Sequence, residues 1–246
     1  MPFKQPDGAY THGLTFERVA GIYEFDQTLH MILFKAIGEI ECSVKTAIAY
    51  YHAHKYGADG YYNPQNYNGK HRHPDFMRRL WGAVDSNRNM LFVKHHLNKY
   101  SGTFPIWVAV ELFTMGSVSM FYADLKNPDK QTIAKTFQTD HKYLESWLHA
   151  VTVLRNISAH FGRIYGVSFD KNPLLPRHLT SNLNLDPNAR TLFKQLCMLK
   201  LLYVNQADKW NRSILEPLSA LVEEYRPHLD FRHIGFPDNW ETVLRW

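Results

Sequence analysis

The chain has 246 residues, of which 45% are hydrophobic and 21% are charged. This composition is typical of a globular protein with its own core, and it excludes disordered and fibrous classes. The 28 Lys and Arg against 23 Asp and Glu give a formal net charge of +5, which suits a polyanionic partner but does not identify one.

Two observations predict the cellular compartment of the protein. No apolar run approaches the length of a membrane span, and the first residues, Met1–Asp7, lack the pattern of a signal peptide. The two cysteines, Cys42 and Cys197, each lie in an apolar helical pattern without a second cysteine or a paired histidine at zinc spacing. We therefore expect buried, reduced thiols, no contact with a membrane and a cytoplasmic location.

The first predicted element is one long amphipathic helix from Ile22 to Tyr56, ended by Gly57 and Gly60. A helix beyond about 25 residues without a breaker is typical of a bundle or of a helix pair between subunits, so we expect a dimer. The apolar positions recur every three or four residues: Ile22, Phe25, Leu29, Leu33, Ala36, Ile40, Val44, Ala47, Ile48 and Tyr51.

A loop follows, from Asp59 to Pro74, rich in Gly, Asn, Pro and Tyr. Its basic residues have two interpretations. They line a groove in which phosphates are neutralised and bases stack on tyrosines, or they belong to an ordinary solvated loop. The residues in question are Lys70, His71, Arg72 and His73, with Arg78 and Arg79 beyond them.

Short helices are predicted between this loop and residue 140. Trp107 and Leu112 are predicted to be core residues, whereas Glu111 should face solvent or meet a cation, because a carboxylate is costly to bury unpaired. Asp129 and Asp140 are candidate helix caps. The predicted segments are helices over 76–85, 87–100 and 106–113, a break at Gly116, a helix over 117–125 and a turn at 127–129.

The C-terminal third has the same helical period. After a loose stretch, Asp186-Pro187 forms a predicted N-cap and first turn, followed by helices to about Lys209 and over Ser213–Tyr225. The end of the chain is predicted to be irregular. Since no alternating strand pattern or internal repeat occurs, we expect an all-α fold with residues 1–246 in a single domain.

The residues with the clearest chemistry lie in a helix predicted from His141 to Arg163. At about 100° per residue, Asn156, His160 and Arg163 fall within about 60° of one another, opposite the apolar stripe, and Arg155 lies nearer its edge. Arginine offers a charged fork of donors, histidine exchanges a proton near neutral pH, and asparagine can orient either partner. These are the groups needed to cleave a phosphodiester without a metal ion.

An isolated Arg-x4-His on a helix is common by chance, but the surrounding string is more specific. Residues 154–165 resemble the Arg-Asn-x3-His signature of HEPN ribonucleases as it occurs in the Abi-like family of bacterial abortive-infection proteins, of the D/F type. Further blocks resemble that family in the same order along the chain: residues 22–26, 36–41, 105–112, 115–117 and 235–240.

The resemblance implies a HEPN-like helical bundle and a metal-independent endoribonuclease of anti-phage defence, with no cofactor. Arg155, Asn156 and His160 would be the catalytic residues. The expected partners are an RNA substrate, a second copy of the chain that completes a composite site, and an RNA or protein antitoxin. Supporting or RNA-binding roles are expected for Arg163, Glu41, Lys70 and Arg72. Glu39 and Glu41 have two interpretations: they orient the basic helix of the site, as the resemblance implies, or they are ordinary carboxylates that face solvent.

The chain also departs from the family pattern. Met1 falls where members usually have a few dozen preceding residues, so two interpretations are open: Met1 is an internal start, or the gene is a shortened version whose core lacks the family's first helices. His30 and Lys45 stand where Arg is expected, Phe161 where a second His is frequent, and Gly166 where Asn is usual. These departures keep an alternative open, in which the protein binds RNA or a protein partner without cutting RNA.

Overall fold

The computed structural model describes Asp7, residues 15–182, Asp186 and residues 188–246. Within these ranges there is no β-strand, only an isolated antiparallel bridge between Tyr67 and Leu125. The predicted all-α fold is confirmed. The helices are α1 (Phe16–Tyr56), α2 (His73–Ser86), α3 (Leu91–Lys99), α4 (Ile106–Ala109), α5 (Met115–Asp124), α6 (Asn127–Thr136), α7 (His141–Ala159), α8 (Arg177–Asn182), α9 (Leu192–Leu202), α10 (Ala207–Trp210), α11 (Glu216–Tyr225) and α12 (Trp240–Leu244).

Helix α1 confirms the predicted long N-terminal helix and begins six residues earlier than Ile22, at Phe16, over a total of 41 residues. It ends where Gly57 adopts a left-handed φ of 81° and donates its N–H to the carbonyl of Ala53. The prediction for Cys42 was wrong, because its position on α1 faces solvent, whereas Cys197 is buried; both thiols are free.

The chain forms two compact units. Unit 1 comprises residues 1–40 and 149–246, and unit 2 comprises residues 41–148. Helices α1 and α7 therefore each contribute residues to both units. The expectation of a single domain stays a prediction.

Unit 1 is built around the first part of α1. The ring of Phe25 makes edge contacts with Tyr165, Tyr225 and Phe231, at centroid distances of 6.2, 5.9 and 5.5 Å. The hydroxyl of Tyr203 donates to the Ala36 carbonyl, at 3.2 Å. Three segments distant in sequence thus pack against one helix face.

The C-terminal segment of unit 1 is attached to this core. The indole N–H of Trp210 donates to the Leu244 carbonyl at 2.7 Å, and Lys200 Nζ donates to the carbonyls of Val243 and Arg245. Short helical turns and α12 occupy the stretch that was predicted to be irregular. The predicted N-cap at Asp186 was wrong: α9 begins at Leu192, after Thr191.

Unit 2 buries Asp129 completely. Its carboxylate accepts hydrogen bonds from Tyr51 Oη (2.9 Å) and Tyr56 Oη (2.6 Å) and pairs with Lys55. Asp129 therefore does not cap a helix, and the predicted turn at 127–129 was wrong, because α6 begins at Asn127 with a proline in its first turn.

Two further predictions for unit 2 need correction. The break predicted at Gly116 occurs earlier, because the Thr114 side chain accepts the Ser117 N–H and starts α5 there. Trp107, predicted to be core, is 54% exposed, whereas Leu112 is buried and Glu111 faces solvent, as expected.

A buried imidazole makes unit 2 sensitive to acid. His52 has no exposed surface, contacts the rings of Tyr56 and Phe121, and neither of its nitrogens has a hydrogen-bond partner within the described ranges. Burial lowers the pKa of His52 to about 4. In the unfolded chain His52 binds a proton near pH 6.5, whereas in the folded chain it stays neutral until about pH 4. The free energy of unfolding therefore falls as the pH drops from 6.5 toward 4.

We expect His52→Leu to remove this part of the acid sensitivity. Between pH 7.5 and pH 5 the wild type should lose about 2 kcal/mol of unfolding free energy through His52, by linkage. Urea unfolding at the two pH values measures it, and His54→Leu, at an exposed position of the same helix, is the control. If His52→Leu keeps the wild-type pH dependence, the assignment to His52 is wrong.

Candidate functional site

Helix α7 carries the predicted site. Asp140 starts it, because its carboxylate accepts the Lys142 N–H at 2.9 Å, so the cap predicted for Asp140 is confirmed. The apolar stripe predicted from the sequence is buried throughout, and the site residues therefore face away from the core. The stripe consists of Leu144, Trp147, Leu148, Val151, Leu154 and Ser158.

The helix ends earlier than predicted, at Ala159. Phe161 takes a left-handed φ of 50°, Gly162 N–H donates to the Ile157 carbonyl at 2.9 Å, and Phe161 N–H to the Ser158 carbonyl at 3.3 Å. This is the Schellman pattern that terminates helices. Its left-handed position is usually Gly, and a side chain there costs about 1 kcal/mol. The prediction of a helix through Arg163 was therefore wrong.

Arg155, Asn156 and His160 remain close together at the C-terminal end of α7, with His160 the first residue after it. Asn156 and His160 are exposed, Arg155 is half-buried, and the backbone N–H of His160 donates to the Asn156 carbonyl at 3.2 Å. In the part of the chain that the structure describes, none of the three side chains makes a hydrogen bond or an ion pair. They are open to solvent and able to contact a phosphate and an adjacent hydroxyl.

Arg163 lies beyond the helix, on the segment after the turn. It is exposed and interacts electrostatically with the carboxylate of Asp26. It is thus three residues from His160 in the chain, but not on the helix face that the sequence predicted.

Two site residues were missed by the sequence analysis: Asp26 and His30, one helical turn apart on α1. Asp26 accepts the backbone N–H groups of Ile164 and Tyr165, and His30 contacts the ring of Phe161. Burial raises the pKa of Asp26 and lowers that of His30. A signal was present: both polar residues occupy positions next to the buried stripe of α1, where a charge is costly without a partner.

The remaining predicted residues make other contacts. Glu41 forms an ion pair of 2.9 Å with Lys45, one turn along α1, and Glu39 accepts from Tyr203 Oη (2.9 Å) and pairs with Lys209 (3.0 Å). The supporting role proposed for Glu41 stays a prediction.

In unit 2, Lys70 and Arg72 are exposed at the end of the predicted loop, which is ordered by two short 3-10 turns. The proposed stacking surface is not formed as expected. Tyr61 and Tyr67 are buried, with Tyr67 Oη donating to the Tyr61 carbonyl. The side chain of His71 is also buried, stacked on Tyr67 at 3.8 Å and bonded to Asp124 at 2.8 Å.

Comparison with known proteins gives the family. A family model described as Abi-like protein matches residues 1–166, about two thirds of the chain. The chain belongs to the Abi-like family. Searches of curated proteins and of solved structures gave no significant match.

The Abi-like match ends just after the Arg155–Arg163 segment, so the site lies inside the matched region. Membership associates the chain with abortive infection and is compatible with a nuclease-like role. Within the described ranges, no helix has both the length and the apolar composition of a membrane span.

Proposed function

We propose that this Abi-like protein is a metal-independent endoribonuclease of the HEPN type, acting in the cytoplasm in anti-phage defence by abortive infection. The observation that supports it best is the end of α7, where Arg155, Asn156 and His160 lie close together. Asn156 and His160 are exposed and Arg155 is half-buried, and their side chains make no hydrogen bond or ion pair in the described part of the protein. A half-buried Arg near the end of a helix and an exposed His directly after it can act on one phosphodiester.

In the proposed reaction the RNA supplies its own nucleophile. The 2′-oxygen bonds to the adjacent phosphorus, the bond from phosphorus to the 5′-oxygen breaks, and a 2′,3′-cyclic phosphate and a 5′-hydroxyl result. His160 takes the proton from the 2′-hydroxyl or gives one to the leaving 5′-oxygen. Arg155 stabilises the charge on the phosphoryl oxygens, and Asn156 orients the substrate.

We propose a homodimer, since two imidazoles are needed if one acts as base and the other as acid. The first part of α1 supports this arrangement with exposed apolar side chains that are three, four, eight and three residues apart, which places them near one face of the helix: Phe16, Val19, Tyr23, Met31 and Phe34. A repeat of this kind on a long helix is typical of helix pairing between two copies. Phe161, which directly follows His160, is 56% exposed and packs on His30 of α1, so it lies between these apolar side chains and the site.

A double substitution, Met31→Glu with Phe34→Glu, should weaken the dimer at least tenfold, because two carboxylates would be buried in an apolar contact. Sedimentation equilibrium measures the dissociation constant. The control, Thr28→Glu with Thr46→Glu, adds the same charge at two other exposed positions of α1. Unchanged assembly in the first variant would exclude this face as the dimer contact.

One observation favours the alternative, an RNA-binding or partner-binding module without chemistry. No side-chain hydrogen bond joins Asn156 to His160 within the described ranges, so no protein side chain is hydrogen-bonded to the imidazole in the single chain. The exposed Lys70 and Arg72 of unit 2 suit such binding, whether of a substrate or of an RNA antitoxin.

One experiment separates the two functions. Purified protein is mixed with a labelled RNA in EDTA, and samples are run on both native and denaturing gels. Cleavage fragments that are absent with His160→Ala support the nuclease. A strong native shift with every phosphodiester intact, and unchanged affinity in His160→Ala, would establish the binding module instead.

A further inference from the structure

The carboxylate of Asp26 binds the backbone of the segment that follows His160. It lies on α1, is only 7% exposed, and its Oδ2 accepts the Ile164 N–H at 3.0 Å while Oδ1 accepts the Tyr165 N–H at 2.9 Å. A carboxylate is costly to bury, and two main-chain donors offset that cost. The segment after His160 is therefore attached to α1 at Ile164 and Tyr165.

His30, one turn further along α1, holds the middle of the same segment. It is 2% exposed, its ring meets the Phe161 ring edge to face at 5.4 Å, and it is hydrogen-bonded to the backbone of Gly162. Its Nδ1 has no partner in the described part of the chain, so the bond to Gly162 uses Nε2. Thus α1 contacts this segment at Phe161, Gly162, Ile164 and Tyr165.

The turn needs this external support. Phe161 sits at a left-handed φ of 50°, a conformation that side chains disfavour, directly after His160. If the contacts with α1 were lost, the turn could relax, and the direction of the His160 imidazole would change with it. Displacement of a catalytic group by about 1 Å can reduce a rate about a hundredfold.

We propose that Asp26 and His30 are positioning residues of the ribonuclease site, which fix the turn at Phe161 and Gly162 and thereby aim His160 at the substrate. This inference rests on the proposed function. Neither residue touches the substrate. Their effect passes through the backbone of residues 161–165.

The test compares Asp26→Asn with Glu24→Gln. The asparagine keeps the size of the side chain but has one acceptor oxygen, so one of the two main-chain N–H groups loses its partner. Glu24 lies on the same helix. Within the described part of the chain, its carboxylate accepts one hydrogen bond, a long one of 3.3 Å from Tyr225 Oη. Asp26→Asn should lower kcat about 10- to 100-fold and leave KM within about threefold. Glu24→Gln should change neither.

His30 offers a rescue experiment. His30→Leu removes the donor to Gly162 and should lower kcat about tenfold, whereas His30→Gln places an amide N–H near the Nε2 position and should retain most of the wild-type rate. If Gln and Leu are equally impaired while both remain folded, the hydrogen bond to Gly162 is not what positions the turn.

Hydrogen exchange and NMR make the test independent of activity. In Asp26→Asn, the Ile164 and Tyr165 amides should exchange at least about tenfold faster, and the His160 ring resonance should move. If exchange accelerates while the His160 resonance and kcat stay at wild-type values, Asp26 is only a structural anchor and the proposal is wrong. If the wild type cleaves no RNA, the proposed function fails by itself, and an unmoved His160 resonance would overturn the positioning role separately.

Discussion

His160→Ala is expected to reduce RNA cleavage by at least about a thousandfold. General acid–base catalysis by a positioned side chain contributes about a hundred- to ten-thousand-fold, and in the proposed dimer the substitution removes both imidazoles. Because His160 is exposed and its side chain makes no hydrogen bond in the described part of the chain, stability should be unaffected. The measurement is the initial rate on a labelled RNA, together with a thermal unfolding curve.

His149→Ala is the matched control, since His149 lies on α7, the helix that ends just before His160, and is also exposed. It is eleven residues away, about 16 Å along an α-helix. Loss of cleavage in His160→Ala with a wild-type rate in His149→Ala supports the assignment. Equal rates in the two variants would remove His160 from the mechanism.

The second large effect is expected from the substrate. Replacing the 2′-hydroxyl by hydrogen at the cleaved nucleotide removes the attacking oxygen, so cutting at that bond should fall below detection, at least about ten-thousand-fold. The protein residues cannot substitute for it, because in the proposed reaction His160 only transfers a proton.

A chimeric oligonucleotide with one deoxynucleotide tests this directly. The affinity of the protein for the oligonucleotide should change little, because in the proposed complex Arg155, Lys70 and Arg72 contact phosphates and not the 2′-hydroxyl. The unmodified bonds of the same oligonucleotide serve as internal controls. Continued cutting at the modified position would show that water or another group is the nucleophile and would reject the proposed reaction.

Much of the fold follows from hydrophobic period alone. The buried stripe of α7 was predicted residue by residue, and that of α1 at every predicted position except Ala47 and Tyr51, which are half-buried. These positions repeat every three or four residues over many turns. Helix ends were predicted less well. The break at Thr114 and the start of α6 at Asn127 depend on caps and on a proline in a first turn, which the period does not contain.

The site was predicted only in part, for a related reason. Arg155, Asn156 and His160 are close in sequence, so their proximity needs only a helix. Asp26 and His30 are more than 130 residues from the segment they hold, as the 138-residue separation of Asp26 and Ile164 shows, and a single sequence does not reveal such a contact. Arg163 was misplaced because the left-handed turn at Phe161 uses a residue that gives no turn signal.

The central claim is that Arg155 and His160 cleave RNA by internal attack without a metal ion. The most direct measurement is mass spectrometry of the RNA ends produced by the wild-type protein in EDTA. We expect 2′,3′-cyclic phosphate and 5′-hydroxyl ends, absent when His160→Ala is used. Intact RNA, or 3′-hydroxyl and 5′-phosphate ends, would contradict the account.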